Sequence, residues 1–337
     1  MWPLKIICLG QGGWTTVIIS ASRRTDIPAF YSQWFINRIR EGYCTVFNPF
    51  NRHQISRVSL LPSDVEVIVF WTKNARPLLD HLNEIDERGF KYYFQYTVNG
   101  YPSQLEPYIP ELDIAIETFA TLATRLGPDK LIWRYDPILI SNITGYDYHI
   151  KHFEKIATLL RGKTQRVAIS IVDEYRKAVN NFKDLKKQDI FVSNEFNNLE
   201  LSALMRSLAD VARQNGMTIY SCAETLDLRS DGIMPGKCID DQYIRRVFGQ
   251  DVVGVKDKSQ RLECGCTQSK DIGVYDTCLH GCAYCYAGTL QSGRKNSEQH
   301  YADSPSLMGR YDVLAVEDSD KIPSYKQSSL FEEGTTE

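Results

Sequence analysis

The sequence predicts an α/β protein: a complete or partial TIM-like (β/α) barrel with a loop-rich C-terminal cysteine extension. Three observations predict it. Short runs rich in β-branched and aromatic residues recur through the first 225 residues, apolar on both faces as in a parallel sheet covered by helices. Helix-like segments lie between them, and about seven strand–helix repeats in a row fit a barrel better than a doubly wound open sheet. From about residue 225 the alternation stops, and Gly, Asp and Cys become frequent.

The expected strands are VIISAS (17–22), VEVIVFWT (65–72), KYYFQYTV (91–98), KLIWRYDPI (130–138), RVAISIV (166–172) and MTIYSCAE (217–224), with CTVFNPF (44–50) a weaker member of the series. A helix is expected over 28–41, where Pro28 follows Asp26 as a first-turn residue follows its cap. Residues 104–125 carry apolar side chains at helical spacing, among them Leu112, Ile116, Phe119 and Leu122. Segments 147–161 and 197–215 read similarly, the second stopping at Gly216. These elements divide the chain into an uncertain N-terminal extension (1–16), a barrel domain (17–225), a cysteine-rich extension (226–315) and a flexible acidic tail (316–337).

Composition narrows the function classes. With 337 residues, 43% of them hydrophobic, the chain has material for a sizeable core. A net charge of −3 argues against a generally basic nucleic-acid binder. No run of 18 or more apolar residues occurs, and the first residues lack the length and cleavage pattern of a secretory signal, so a cytoplasmic protein is expected. Nine cysteines are present, seven of them between residues 222 and 285. In a reducing compartment such a cluster points to metal binding or redox chemistry rather than to disulfides.

The strongest motif is Cys278-Leu-His-Gly-Cys282-Ala-Tyr-Cys285-Tyr286, a C-x3-C-x2-C spacing. Three thiolates so close on one loop can each ligate a different iron of a [4Fe–4S] cubane, leaving one iron free of protein ligands. With Tyr284 before the last cysteine, the motif resembles the radical SAM pattern, C-x3-C-x-aromatic-C. That resemblance implies S-adenosylmethionine as a second cofactor and an electron-donor protein as a partner. In ordinary radical SAM enzymes the motif follows the first barrel strand; here it follows the last. The competing reading is structural zinc, with Cys264 and Cys266 completing four thiolates beside Cys282 and Cys285. Removing the triplet leaves Cys222, Cys238, Cys264 and Cys266, a candidate second site for a cluster or zinc, although no spacing rule supports it and buried free cysteines are common.

Over a longer span, SASRRTDIPAFY (20–31), NPFN (48–51), VFWTKN (69–74), IWRYDPI (132–138), CAE (222–224), GKCIDD (236–241), CGC (264–266) and DTCLHGCAYCYA (276–287) resemble an uncharacterised bacterial family, catalogued as domain of unknown function 1848. The resemblance runs from about residue 17 to 310. It implies a C-terminal cysteine cluster similar to that of radical SAM proteins and carries no reaction with it.

In α/β barrels functional groups collect where strands end. Arg23, Arg24, Lys73, Arg134, Asp136 and Glu224 stand at such places and are the candidate cofactor-binding residues. Buried charges need partners, so internal ion pairs such as Arg134 with Asp136, or Arg24 with Asp26, compete with ligand binding. Taken together, the basic members suit an anionic substrate or the carboxylate of S-adenosylmethionine. His280, inside the cysteine loop, reads as a solvated loop residue before one that tunes or covers a cluster. Gly10-Gln-Gly12-Gly13 precedes a strand rather than following one, and so fails the dinucleotide-binding context. In the tail, Gln327, Leu330 and Phe331 resemble the short peptide by which bacterial proteins dock onto the DNA sliding clamp, which would make the chain a metal-stabilised, repair-associated binding protein.

Overall fold

The computed structural model describes residues 16–310, apart from 50, 174 and 194–196. Residues 1–15 and the tail from 311, with the clamp-like peptide, lie outside them. The chain runs β1 (Val17–Ala21), α1 (Ile27–Phe30), α2 (Ser32–Glu41), β2 (Tyr43–Asn48), β3 (Asn51–Ser59), β4 (Val65–Thr72), α3 (Arg76–Leu79), α4 (Leu82–Glu87) and β5 (Tyr92–Thr97). There follow α5 (Leu112–Leu126), β6 (Leu131–Ile138), α6 (Tyr146–Leu160), β7 (Arg166–Ile171), α7 (Arg176–Lys186), α8 (Asn198–Gln214) and β8 (Thr218–Cys222). The last elements are β9 (Met234–Gly236), α9 (Asp241–Phe248), β10 (Lys270–Asp271) and α10 (Leu290–Ser297).

Eight strands form one sheet in the order β10-β1-β4-β5-β6-β7-β8-β9, and every pairing is parallel. This is a mixed α/β fold. Alternate residues of each strand face opposite ways. Ile19, Phe70, Phe94, Trp133, Ile169 and Ile219 pack on the helices. The other face, with Ile18, Val67, Val69, Tyr93, Ile132 and Ala168, packs on Cys238, Ile239, Tyr243, Ile244, Cys264 and Cys266. The larger helices therefore cover one face, and the second is covered by the chain's own C-terminal segment, α9 included. The extension also supplies β9 and β10, so two sheet strands come from a stretch that reads locally as loop.

Three expected elements differ. Segment 28–41 breaks at Tyr31 (φ −133°) into α1 and α2, and the Tyr31 hydroxyl donates to the Thr277 carbonyl at 2.6 Å. The helix over 104–125 begins only at Leu112, because Pro107 and Pro110 lack the N–H a helix interior needs. Segment 44–50 lies outside the main sheet: β2 pairs antiparallel with β3 as a separate ribbon. Elsewhere local rules hold. Asp26 caps α1 through Ala29 N at 2.9 Å, and Asn197 caps α8.

α9 lies against the N-terminal ends of β5, β6 and β7. Lys91 Nζ donates to Phe248 O, the Tyr243 hydroxyl to Asp129 O, and Arg166 pairs with Asp240 at 3.3 Å. Among the described residues no helix is long and apolar enough to cross a membrane.

Candidate functional site

The loop carrying Cys278, Cys282 and Cys285 is seated at the C-terminal ends of the strands, although it comes late in the chain. After β1, Arg23 O accepts from the Tyr286 hydroxyl at 2.8 Å, and Asp26 Oδ2 lies 2.7 Å from His280 Nε2. After β5, Leu105 O accepts from Ala283 N at 2.9 Å, while Asn99 Nδ2 (3.1 Å) and Glu106 bind the Tyr284 hydroxyl. From α7, Asn181 Nδ2 donates to Ala283 O at 2.9 Å, and Lys177 Nζ grips Asp276 at 2.8 Å. The turn needs a glycine between the first two cysteines. Gly281 has φ +70°, and a Cβ there would sit 3.2 Å from both Pro107 and Tyr108.

Burial acts on all three thiols. It pushes Cys278 up to about 12, with Cys285 adding to the rise. It drives Cys282 well above the ordinary thiol range, opposed by the Lys73 ammonium. Cys285 is raised too, against the N–H groups of Gly288 and Ala287 and the charge of Lys177. As thiols these groups stay protonated at neutral pH. As a donor set they are soft, and they meet backbone N–H groups and two ammoniums that favour the anionic form. Such a set fits a thiophilic metal, whose own charge strips the protons.

His280, expected in solvent, is 3% exposed and is held between Asp26 Oδ2 and Tyr108 O. The carboxylate anchoring it sits 254 residues earlier in the chain, so local reading had no access to it.

The other four cysteines gather separately, on the sheet face that the C-terminal segment covers. Cys222 Sγ lies 2.8 Å from Cys238 Sγ. The Cys266 thiol is held low by hydrogen bonds from Cys238 and Cys264. Arg134 Nη1 donates to Cys238 Sγ at 2.9 Å, and Ile239 N to Cys266 Sγ at 3.5 Å. The seven late cysteines thus divide into three and four. Cys264 and Cys266 go with Cys222 and Cys238, not with Cys282 and Cys285. Among the described residues no group of three or more His, Cys, Asp or Glu side chains stands ready to hold a metal ion.

The family model for the domain of unknown function (DUF1848) matches residues 18–287. The chain belongs to this family. No curated protein matches it. Among solved structures it is similar to a D-hydantoinase from a Bacillus sp. AR9, at 11% identity with 56% of this chain and 38% of that chain covered, TM-score 0.27. It is also similar to a dihydropyrimidinase from Brevibacillus agri NCHU1002, at 9% identity, 71% and 45% coverage, TM-score 0.29. A putative alpha-L-fucosidase from Bacteroides thetaiotaomicron VPI-5482 matches at 12% identity, 55% and 72% coverage, TM-score 0.24. The chain spans about two fifths of the length of the first of these structures. At such scores the likenesses carry no argument.

In this family member the six candidate cofactor residues have different fates. Arg134 pairs with Asp136, as the ion-pair reading expects. Burial alone would push the Asp136 carboxyl up, but Arg134 and the Ser170 hydroxyl bring it below its ordinary value. Arg24 turns to Asp271 (3.9 Å) and Gly273 O, not to Asp26. Lys73 pairs with Glu106 at 2.8 Å, and that carboxylate outweighs burial and keeps the ammonium charged. Glu224 accepts from Ile171 N at 2.8 Å, and burial raises its carboxyl to about 7. Arg23 stacks on Trp71 at 5.1 Å, and its Nη2 is a buried donor with no hydrogen-bond partner. Sequence reading missed Glu106, Lys177 and Asp276, which with Asn99 fasten the cysteine loop; an isolated Glu, Lys or Asp has no spacing signature.

A hydrogen-bonded path joins Cys238 to the loop that carries the triplet. It runs from Cys238 Sγ to Arg134, from Arg134 Nε to Asp136 Oδ2 (2.9 Å), from Asp136 N to Asn99 Oδ1 (2.8 Å), and from Asn99 Nδ2 to the Tyr284 hydroxyl.

Proposed function

We propose that this protein is a radical SAM-like enzyme acting on an unknown, anionic substrate, with a [4Fe–4S] cluster held by Cys278, Cys282 and Cys285. The observation that carries this reading is the seating of the triplet loop over the strand ends, keyed by Tyr284 to Asn99 and Glu106 and by Tyr286 to Arg23 O. A motif displaced to the end of the chain thereby reaches the rim on which α/β barrels carry their chemistry. The strand order supports a barrel, complete or partial, because β4 to β9 succeed one another with no reversal, whereas a doubly wound sheet turns back at a switch point.

Cys278, Cys282 and Cys285 would hold the cluster, which would supply one-electron reducing chemistry with one iron open to S-adenosylmethionine. The chain's own residues bind and position. Lys73 and Lys177 offset the negative charge of the thiolates. Buried Tyr284, 8% exposed, excludes water from the side facing Tyr101. Arg23 offers a buried N–H donor without a partner, suited to a carboxylate.

The test is anaerobic purification with iron and sulfide quantitation, followed by assay for 5′-deoxyadenosine after adding reductant and S-adenosylmethionine. We expect brown protein and formation of that product. Cys282→Ser should lose most of the iron bound by the triplet. Full iron retention in that variant overturns the ligand assignment. A loaded cluster that never yields the nucleoside leaves only electron transfer.

A further inference from the structure

We propose that Cys222, Cys238, Cys264 and Cys266 bind a single thiophilic divalent ion, zinc, that clasps together the two ends of the strand order. This inference stands apart from the activity proposed above and uses none of the triplet's residues.

Position is the first argument. Cys222 ends β8, Cys238 lies two residues beyond β9, and Cys264 and Cys266 precede β10. β9 and β10 are the two ends of the sheet order. The fold thus brings sulfurs from both ends to one place, on the face that α9 and the C-terminal segment cover.

Spacing is the second. The thiols form a contiguous chain, Cys222 to Cys238 at 2.8 Å, then to Cys266, then to Cys264. Thiolates bound tetrahedrally at ~2.3 Å to one ion lie roughly 3.8 Å apart, so the Cys222–Cys238 pair needs to open by about 1 Å. A cubane separates its thiolates much further. Cys222 and Cys238, 2.8 Å apart, stand far nearer than cubane ligands do and suit a single ion.

Charge is the third. Four thiolates with one divalent ion carry two negative charges. Two guanidiniums face them: Arg134 Nη1 is 2.9 Å from Cys238 Sγ, and Arg23 acts on Cys266 and Cys238 through space. Both rest on Trp71, at 5.3 and 5.1 Å from its ring. Arg134 and Ile239 N also donate to sulfur, as outer-shell groups of metal thiolates do. Cys238, Cys264 and Cys266 are 5%, 7% and 2% exposed, which suits a closed structural site. A small cleft lined by Gln95, Arg166 and Tyr220 reaches Cys222 and Cys238.

The experiment counts metals in the full chain and in a full-length Cys278→Ala, Cys282→Ala, Cys285→Ala variant. We expect one zinc ion per chain in both, with iron and sulfide lost from the variant alone. Loading the variant with cobalt should give the thiolate charge-transfer and strong visible bands of a tetrahedral four-sulfur site. Joint Cys264→Ser and Cys266→Ser replacement should reduce zinc to a trace. If that variant does not fold, the cobalt spectrum still decides, because the quartet is untouched there. A metal-free triplet variant, a Cys222–Cys238 disulfide found by peptide mapping, or iron with labile sulfide at the quartet each overturns the proposal. Loss of iron reports on the triplet and zinc content on the quartet, so the two readings fail separately.

Discussion

His149 shows how a single buried side chain ties stability to pH. It is fully buried, with Nδ1 accepting from the Tyr135 hydroxyl (2.8 Å) and Nε2 donating to Leu139 O (3.0 Å). Both contacts suit the neutral ring, and burial lowers its pKa from 6.5 to about 4. The unfolded chain takes up the proton first as pH falls, so His149 contributes its full stability above about 6.5 and loses it on the way down to about 4. Denaturant midpoints should therefore drop by the equivalent of about 2 kcal/mol between pH 7.5 and 5 from this residue alone. His149→Asn should flatten that slope, and an unchanged pH profile would contradict the assignment. Tyr284 works at the same scale by a different route. Its ring packs beside Tyr101 while its hydroxyl meets Asn99 and Glu106, so one residue of the motif fixes the loop by both shape and polarity.

Among the elements, α9 carries weight beyond its eight residues. Asp240 caps it through Gln242 N and Tyr243 N and also pairs with Arg166, the first residue of β7. Asp240→Ala should cost about 1–2 kcal/mol from the lost cap and the stranded guanidinium, read as a lower denaturant midpoint with unchanged slope. The stretch between β5 and α5 is irregular for a reason. Prolines at 102, 107 and 110 keep it out of helix, and the resulting loop presents Leu105 and Glu106 to the cysteine loop. The β2–β3 ribbon stands apart from the sheet and is tied to the end of the described chain, Thr45 N donating to Pro305 O at 2.9 Å.

At the scale of the molecule, the segment after residue 225 completes the sheet and covers its second face. Without it Val67, Tyr93 and Ile132 lose the packing of Ile239, Tyr243, Ile244 and Cys266. A chain ending at Thr225 should therefore be insoluble or loosely packed, with strong binding of a hydrophobic dye and no sharp thermal transition. A cooperative, soluble fragment would mean that the first 225 residues form a self-sufficient unit. The same segment bears the triplet and Cys238, Cys264 and Cys266, while Cys222 ends β8 just before it.

What the sequence determined by itself was whatever local pattern encodes. VEVIVFWT was expected over 65–72 and is β4, Val65–Thr72; 197–215 was expected helical and α8 is Asn198–Gln214. The triplet's spacing and the family were likewise legible in contiguous residues. Tertiary structure alone decided that Asp26 meets His280, that Lys73 is matched by Glu106, and that Cys266 joins Cys238 rather than Cys285. The physical reason is range. Periodicity and capping act over a few bonds of chain. Burial, ion pairing and the gathering of thiols act through space, between residues that only the folded sheet brings together.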